Sequence, residues 1–506
     1  MNINVNKSSK TPIYIQIAQQ LKTKIMQGEM MDGFPLPSER EMAKMVEVHR
    51  NTVTRAYNEL KADGFIKSVQ GVGYIITYKK DESNELLYLK PKNVNWSNLI
   101  KDEYLDVEKT FDDLFSKSYG PKNISFAGGM ASPDVYSKKD IVEVISEIIL
   151  EGRETSYFYT PYQGDPGLRQ QFSIFMRNKG VIINASEIQV FSETNQALDF
   201  LVTLLLNPGD VVILEEPVSP DIYRPIELAG AKIITVPIDE DGMICENLES
   251  ILEKHKPKFI YVNSSYHDPT GVTLSLERRK KLLELSYKFR VPIIEDDVAS
   301  EICLNGPKLP SIKSLDQGNN VIYIYSFSLT FIPGVGIAFL VAPKRVIKSM
   351  SYLVSIRLIS LDWMYQKLLK LYLSKGIYQK RLLEFNIEYR KKRDLMCVWL
   401  DKWKRLGVTY RKPQGGVYIW CNLPDCVDIK ELTKSAARVG ISFIPGNIFY
   451  PGKSKGNNQI RLNYSYPSYF QVDEGMAELT KLLLEALNNT GTKNIPSTGT
   501  LYVAPK

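Results

Sequence analysis

Side chains with hydrogen-bonding groups fall on one side of a predicted helix near the N-terminus. Residues 49–64 read HRNTVTRAYNELKADG, and apolar residues recur at helical spacing from Val53 to Leu60. The opposite face carries the polar and cationic groups, which are Arg50, Asn51, Thr54, Arg55 and Asn58. Guanidinium and amide groups bond to base edges and phosphates of duplex DNA, so this face predicts a nucleic-acid contact. The alternative interpretation is a helix face that is only solvated.

The elements around this helix are those that would position it against DNA. A first helix carries apolar residues on one face from Tyr14 to Ile25. Ser38, three residues before Glu41, forms a capping-box pattern that predicts the start of a second helix. The strands FIKSV and YIIT, joined by QGVG, predict a hairpin after the third helix. Residues 1–80 hold 12 Lys and Arg against 7 Asp and Glu, so most of the net charge of +7 lies here.

This segment resembles the winged helix-turn-helix of the GntR family of bacterial regulators. The likeness runs through TPIYIQIAQQLK, LPSERE and VHRNTVTRAYNELKADGFIKSVQGVGYII in the family's order. It implies that the third helix enters the major groove of double-stranded DNA. The residues expected to contact DNA, from the likeness or from the cationic face, are Arg40, Arg50, Asn51, Thr52, Arg55 and Gly71. His49 departs from the small residue that usually precedes the arginine, which bears on base preference.

From residue 123 onward, apolar runs typical of buried strands alternate with helical stretches. The runs are QVFS, DVVILEE, AKIITVPI, KFIYVNS, VPIIEDD, NVIYIYSFS and GIAFLVAP. Helices over 195–206 and 276–289 lie between them, and the alternation predicts an α/β domain with a mostly parallel sheet. A helical and then strand-rich stretch from about Ile347 predicts a smaller α+β C-terminal subdomain. Residues 317–343 carry no charge, but their Pro and Gly favour two buried strands over a membrane span.

The order of landmarks in this domain resembles fold-type I aminotransferases, and with the N-terminal module it resembles the MocR subfamily of GntR regulators. The landmarks are Tyr159 with Gly164 and Leu168-Arg169, QALDFLVTLLLNPGDVVILEEP, HDPTGVTLS, IIEDD, SFSLTFIPGVGIAFLVAP, GGVYIW and IRLNYS. The likeness implies a site for pyridoxal 5'-phosphate, where a lysine forms a Schiff base and a carboxylate holds the pyridine nitrogen. The matching residues are Asp296 for that nitrogen, Tyr159, Thr194, Ser326 and Ser328 near the phosphate, and Arg461 for a ligand carboxylate.

Three positions depart from the family pattern where the chemistry is most demanding. Leu329, within SFSLT, stands at the lysine position, and no other lysine lies between Lys313 and Lys344. Gly336 falls at the arginine that binds the cofactor phosphate, and Glu193 falls at the glycine of the phosphate loop. We therefore expect no catalytic residue at position 329, no Schiff base there, and weakened phosphate binding.

The expected organisation is a GntR-type domain over 11–78, a linker over 79–122, an aminotransferase class I/II-like domain over 123–488 and a disordered tail over 489–506. The expected function is transcription regulation by a DNA-binding homodimer, whose second domain mediates dimerisation and senses an amino-acid-like or cofactor-related effector. The alternatives are a working aminotransferase that carries a DNA-binding domain, and a dimerisation scaffold without a ligand. The five cysteines lack metal-ligand spacing and the N-terminus lacks a signal-peptide pattern, so we expect a cytoplasmic protein without a metal site.

Overall fold

The computed structural model divides the chain into two compact units, Met1–Phe111 and Asp112–Lys506. The described residues are 3–7, 9, 11–78, 94–101, 123–150, 160–332, 334–358, 361–452 and 455–489. The linker expected over 79–122, apart from 94–101, and the tail expected beyond residue 489 lie outside the described residues.

The first unit contains the helices and the hairpin that the sequence predicts. They are α1 Ile13–Met26, α2 Glu39–Met45, α3 Arg50–Ala62, β1 Ile66–Val69 and β2 Gly73–Ile76, followed by α4 Trp96–Leu99. The capping box is present, because Ser38 accepts a hydrogen bond from the Glu41 amide and the Glu41 side chain accepts one from the Ser38 amide. Apolar residues of α1 and α3 pack into one core that includes Leu21, Val53 and Leu60.

The β1–β2 hairpin turns at the QGVG stretch, as the sequence predicts. The two strands pair antiparallel, and Val69 lies opposite Gly73. Gly71 in the turn has a φ of +82°, a left-handed conformation that side chains with a Cβ rarely adopt. The turn is exposed, as a wing that contacts DNA must be.

The strands of the second unit form two main sheets and a short parallel pair within the described residues. In chain order they are β3 Ile124–Ser125, β4 Ile188–Phe191, β5 Val211–Glu216, β6 Lys232–Asp239, β7 Gly242–Met243, β8 Ile260–Asn263, β9 Ile293–Asp296, β10 Val321–Ser326, β11 Ala338–Val341, β12 Thr409–Tyr410, β13 Tyr418–Asn422, β14 Ile441–Ser442, β15 Ile444–Pro445 and β16 Gln459–Asn463. The large sheet has the order β4-β11-β10-β9-β8-β5-β6-β7. Neighbours from β10 to β6 run parallel, while β11 and β7 are antiparallel to theirs, which confirms the mostly parallel sheet.

Helices cover the sheets of the second unit. They are α5 Lys138–Leu150, α6 Pro166–Asn178, α7 Thr194–Leu205, α8 Pro220–Leu228, α9 Leu248–His255, α10 Leu276–Phe289, α11 Ile312–Leu315, α12 Lys344–Arg357, α13 Trp363–Ser374, α14 Ile377–Trp403, α15 Ile429–Arg438 and α16 Tyr469–Asn489. β8, β9 and β10 are buried along their whole length, which explains the apolar residues with which each begins, while Asn263 and Asp296 are the polar residues at the ends of β8 and β9. The uncharged run 317–343 forms β10 and β11, and among the described residues no helix is long and apolar enough to cross a membrane.

The small subdomain is an antiparallel sheet of order β12-β13-β16-β15 with α14, α15 and α16 packed around its core. The chain enters this subdomain before it builds the large sheet. β3 pairs in parallel with β14, and the Phe126 amide donates to the Ser442 carbonyl at 2.8 Å. The Asn463 amide in turn donates to the Phe126 carbonyl at 2.8 Å, so residues 124–126 are anchored from both sides.

Candidate functional site

The N-terminus of α3 is defined by a side-chain cap and an ion pair. The His49 ring accepts a hydrogen bond from the Asn51 amide at 3.3 Å, so this unusual residue caps the helix. The Arg50 guanidinium donates from Nε and Nη2 to one oxygen of Glu39, at 3.0 and 2.8 Å. Its side chain remains 54% exposed, so it is held in place by α2 and still open to a ligand.

The other residues predicted to contact DNA lie in different environments. Arg40 on α2 and Asn51 on α3 are exposed, Thr52 is half-buried, and Gly71 is at the exposed hairpin turn. Arg55 is half-buried and its guanidinium lies 5.8 Å from the centre of the Tyr14 ring on α1. Its assignment to a DNA contact remains a prediction, and its position beside α1 is one that the sequence does not indicate.

In the second unit, Asp296 lies buried at the carboxyl end of β9. The Tyr261 hydroxyl donates to Asp296 Oδ2 at 2.5 Å, and the Val298 amide donates to Oδ1 at 3.3 Å. Burial raises the pKa of Asp296 to about 6, although the bond from Tyr261 acts in the opposite direction. The side chain is therefore a carboxyl group in the range where protonation responds to neutral and mildly acidic pH.

A second buried carboxyl, which sequence reasoning missed, lies on β5, which β8 separates from β9 in the large sheet. Glu215 accepts a hydrogen bond from the Asn263 amide at 2.7 Å, and burial raises its pKa to about 8. The His267 ring lies 3.6 Å from it, and burial lowers the pKa of this histidine to about 3. The only signal in the sequence is an acidic residue inside the apolar run VVILEE.

Position 329 is part of the apolar core. The Leu329 side chain is 5% exposed and packs in the cluster that contains Phe385 and Tyr389. Its carbonyl accepts a hydrogen bond from the Tyr389 hydroxyl at 3.0 Å. The loop after β10 is therefore anchored to α14 through Leu329, the residue that the sequence comparison with the family predicts at the lysine position.

The positions predicted to bind phosphate come together around Glu193. Glu193 directly precedes α7, whose first residue, Thr194, is half-buried. The Ser326 hydroxyl donates to the Glu193 carboxylate at 3.3 Å, and the Ser328 amide donates to the Ser326 hydroxyl at 3.1 Å. Burial raises the pKa of Glu193, while the bond from Ser326 lowers it. A Cβ at Gly336 would lie 2.3 Å from a Glu193 oxygen and 2.5 Å from the Ser192 backbone carbonyl, so a side chain at position 336 requires both the Glu193 side chain and the local backbone to shift.

Arg461, on β16, is already engaged within the chain. It is 8% exposed, donates from Nη1 to Asp268 Oδ1 at 2.6 Å, and donates from Nη2 to the Ala127 carbonyl at 2.8 Å. Its guanidinium lies over the rings of Tyr418 and Phe449, at 4.1 and 5.0 Å. Nε has no hydrogen-bond partner among the described residues. The pairing with Asp268, across 193 residues of sequence, is a contact that sequence reasoning missed.

Tyr159, the remaining predicted site residue, lies outside the described residues.

Residues 133–503 match the family model described as aminotransferase class I and II. The chain belongs to that family. Residues 13–76 match the model for bacterial regulatory proteins of the gntR family. The two modules follow one another in the arrangement of the MocR subfamily, as the sequence predicts.

Transcription regulators and aminotransferases are both similar to this chain. The uncharacterized HTH-type transcriptional regulator YdfD of Bacillus subtilis is 27% identical over 95% of this chain and 98% of its own length. The HTH-type transcriptional regulator TauR of Rhodobacter capsulatus is 25% identical over 92% of this chain and 96% of its own length. The structure of the α-aminoadipate aminotransferase LysN of Thermus thermophilus, complexed with N-(5'-phosphopyridoxyl)-L-leucine, has a TM-score of 0.72 and 27% identity, covering 78% of this chain and 100% of that one.

Proposed function

We propose that this chain is a DNA-binding transcription regulator, whose aminotransferase-like domain pairs two copies and senses a ligand instead of catalysing transamination. The observation that carries the regulatory part is the GntR-type unit, in which a short capped helix precedes α3 and an exposed hairpin follows it. A cationic helix N-terminus and a wing together can contact a base edge and the flanking phosphates.

DNA binding is tested with fragments from the region upstream of the chain's own coding sequence. We expect at least one fragment to bind about a thousandfold or more tighter than random DNA at physiological salt. Fluorescence anisotropy with both fragments at several salt concentrations measures this ratio. Equal affinity for both fragments at every salt concentration would contradict sequence-specific regulation.

The residues around position 329 argue against a covalently bound cofactor. Pyridoxal phosphate is the usual cofactor of this fold, and it needs an amine for the Schiff base and a cationic or neutral cradle for its phosphate. Leu329 has no amine, and the Glu193 carboxylate lies against Gly336 and Ser326, where the family likeness places the phosphate. Two anions at one position repel each other, so the residues present do not fit the group.

Spectroscopy separates this proposal from the aminotransferase alternative. We expect protein purified with excess pyridoxal phosphate to lack a visible absorption band after gel filtration, and borohydride to fix no cofactor on it. Leu329→Lys alone is expected to stay inactive, because Glu193 and Gly336 are unchanged. The double variant Leu329→Lys, Glu193→Gly supplies the amine and also removes the carboxylate, so it is the stricter comparison. A cofactor trapped on a lysine of the native chain would favour the enzyme.

For the sensing part, we propose that Arg461 binds the carboxylate of an amino-acid-like effector, and that this carboxylate displaces Asp268. Two observations support this proposal: Nε has no hydrogen-bond partner among the described residues, and the ion pair with Asp268 is a partner that a ligand carboxylate can replace. Asp268→Asn removes the competing charge, so we expect it to tighten binding of a responsive amino acid by roughly tenfold.

The test uses the twenty common L-amino acids and L-2-aminoadipate, with melting temperature and DNA affinity as readouts. Arg461→Ala is expected to abolish any response and to leave basal DNA affinity unchanged. Arg438→Ala, on the exposed surface of α15, is the matched control. A response that survives Arg461→Ala would reject the assignment. Sedimentation of the full chain at micromolar concentration tests the dimer.

A further inference from the structure

Residues 127–132, here called the strap, follow β3 directly and cover one side of Arg461. They form neither a helix nor a strand. Arg461 Nη2 donates to the Ala127 carbonyl of the strap at 2.8 Å, while Nη1 donates to Asp268. Because Arg461 is only 8% exposed, a carboxylate that binds it through two donors needs part of this cover to leave.

The strap is fastened at its middle and at its end by polar groups that lie on α14 or after β16. The Ser465 hydroxyl donates to the Met130 carbonyl at 2.8 Å. Lys392 Nζ, on α14, donates to the Ser132 hydroxyl at 2.8 Å and to the Ser465 carbonyl at 3.1 Å. The Tyr389 hydroxyl, one turn earlier on α14, accepts the Ser132 amide at 2.9 Å.

Lys392 and Tyr389 are buried polar groups that have no contact with Arg461. The Lys392 side chain is 0% exposed, and burial lowers the pKa of its ammonium group. A buried ammonium group is costly without its acceptors, so the loss of Ser132 as a partner would destabilise an open strap. The Tyr389 hydroxyl also donates to the Leu329 carbonyl, so it joins the strap to the loop after β10.

Gly129 lets the strap pass directly against the ring that lies over Arg461. A Cβ at this position would lie 1.8 Å from the Tyr418 hydroxyl oxygen and 2.8 Å from the ring carbon that carries it. A side chain at position 129 must therefore displace the strap or the ring. Tyr418 is on β13, which pairs with β16, so the strap is the less restrained of the two.

We propose that the strap is a gate over Arg461, which Tyr389 and Lys392 hold closed and which opens to admit the carboxylate of the effector. Tyr389 and Lys392 are positioning residues, because they act on the ligand only through the strap. The effector part rests on the function proposed above for Arg461, whereas the movement of the strap does not. A closed gate lowers the apparent affinity for the ligand in proportion to the fraction of molecules that are open.

Phenylglyoxal, a small reagent that modifies accessible guanidinium groups, measures the opening of the gate without an effector. Peptide mass spectrometry of the full chain gives the reaction rate at Arg461, with Arg438, 73% exposed, as the internal reference. We expect Arg461 of the native chain to react at least tenfold more slowly than Arg438. Tyr389→Phe removes the acceptor of the Ser132 amide, so reaction at Arg461 and amide exchange of the strap should both become about fivefold faster.

A matched control separates opening of the gate from general loosening of α14. Tyr378→Phe also removes a buried hydroxyl from this helix, but one that contacts Tyr325 and Thr330 and not the strap. It should leave the reaction of Arg461 and the exchange of the strap unchanged. Equal effects of Tyr378→Phe and Tyr389→Phe, or no effect of Tyr389→Phe, would overturn the proposal.

Gly129→Ala tests the gate without any change on α14. The added methyl group collides with the Tyr418 hydroxyl, so the strap should be held open and Arg461 should react at least tenfold faster. A folded Gly129→Ala protein with the native rate, or a native Arg461 that reacts as fast as Arg438, would overturn the proposal.

These measurements contain no amino acid, so a failed effector screen would count against the proposed function and not against the gate. If the screen finds a responsive amino acid, Tyr389→Phe should bind it about fivefold tighter, because a larger fraction of molecules is open. Unchanged affinity in a variant whose gate opens faster would contradict a role of the gate in sensing.

Discussion

Glu39 holds the guanidinium of Arg50, and we expect it to compete with DNA for that group. Both hydrogen bonds from Arg50 reach a single Glu39 oxygen, and the carboxylate itself would repel a phosphate placed nearby. The same pair fixes the direction of the arginine, which favours a defined contact once DNA replaces the carboxylate. Arg50 is thus restrained by Glu39, and we expect the same carboxylate to weaken binding to DNA of any sequence.

We therefore expect Glu39→Gln and Arg50→Ala to act in opposite directions. Arg50→Ala should cost about 1–3 kcal/mol on the specific fragment if the arginine contacts a base. Glu39→Gln should strengthen binding to random DNA several-fold at low salt, because it removes a negative charge beside the phosphates. Anisotropy with both DNAs measures these changes. Lys61→Ala, at the exposed far end of α3, is the control for the loss of one positive charge. If it reduces DNA affinity as much as Arg50→Ala does, a specific contact of Arg50 with DNA is contradicted.

Glu215 carries a second prediction at this scale, concerning pH. Its pKa rises from 4.5 to about 8 on burial, so the folded state holds the proton more tightly than the unfolded state. Its stabilising contribution is complete below about pH 4.5 and is lost as the pH rises toward 8. Glu215→Gln keeps the shape and has no proton to lose, so its stability should fall less between pH 5 and pH 8. Urea unfolding of the native chain and the variant gives the change in the free energy of unfolding between pH 5 and pH 8. Titratable groups that both proteins share cancel in the comparison. An equal change in both proteins would contradict the assignment to Glu215.

Contacts between individual side chains were the least predictable feature of this sequence. Ser38 as a cap was predictable, because capping depends on neighbours three positions apart. Asp268 as the partner of Arg461 was not, because the fold brings the two together from distant segments and no local spacing records it. The contact of Arg55 with the Tyr14 ring of α1 was also not predictable, because a side chain at the edge of a polar helix face packs against whichever element lies beside it.

Among the elements, α2 is short enough for its cap to matter. It spans seven residues, and its first turn depends on the bond between Ser38 and the Glu41 amide. Ser38→Ala should destabilise this helix by about 1 kcal/mol and speed amide exchange at Glu41 and Met42 about fivefold. Hydrogen exchange with mass spectrometry measures this change. Ser38→Thr should retain the protection, and unchanged exchange in Ser38→Ala would show that tertiary packing alone holds α2.

At the scale of strands and helices, the sequence predicted kinds of element better than their arrangement. The uncharged run 317–343 gave β10 and β11 because strands buried on both faces need no polar alternation. α7 was expected over 195–206 and spans Thr194–Leu205, an offset typical of helix ends. The insertion of β11 between β4 and β10 was not predictable, since strand order is set by packing across the whole sheet.

For the whole molecule, the two units have separate apolar cores. The core of the first unit draws its described residues only from Met1–Phe111, and those of the second unit draw theirs only from Asp112–Lys506. Urea should therefore unfold the chain in two steps, with the steeper dependence on urea in the larger unit. Amide exchange of α3 and of β9, followed separately against urea, distinguishes the steps. A single coincident transition would show that the units unfold as one.

The pairing of β3 with β14 decides where the chain between the units is attached. Residues 124–126 are bonded to Ser442 on one side and Asn463 on the other, so the segment that precedes them leaves from the small subdomain and not from the large sheet. Arg461 lies on the same strand as Asn463, two residues before it. If a ligand replaces Asp268 as the partner of Arg461 and the small subdomain shifts in response, residues 124–126 should move with it, and with them the point at which the second unit begins.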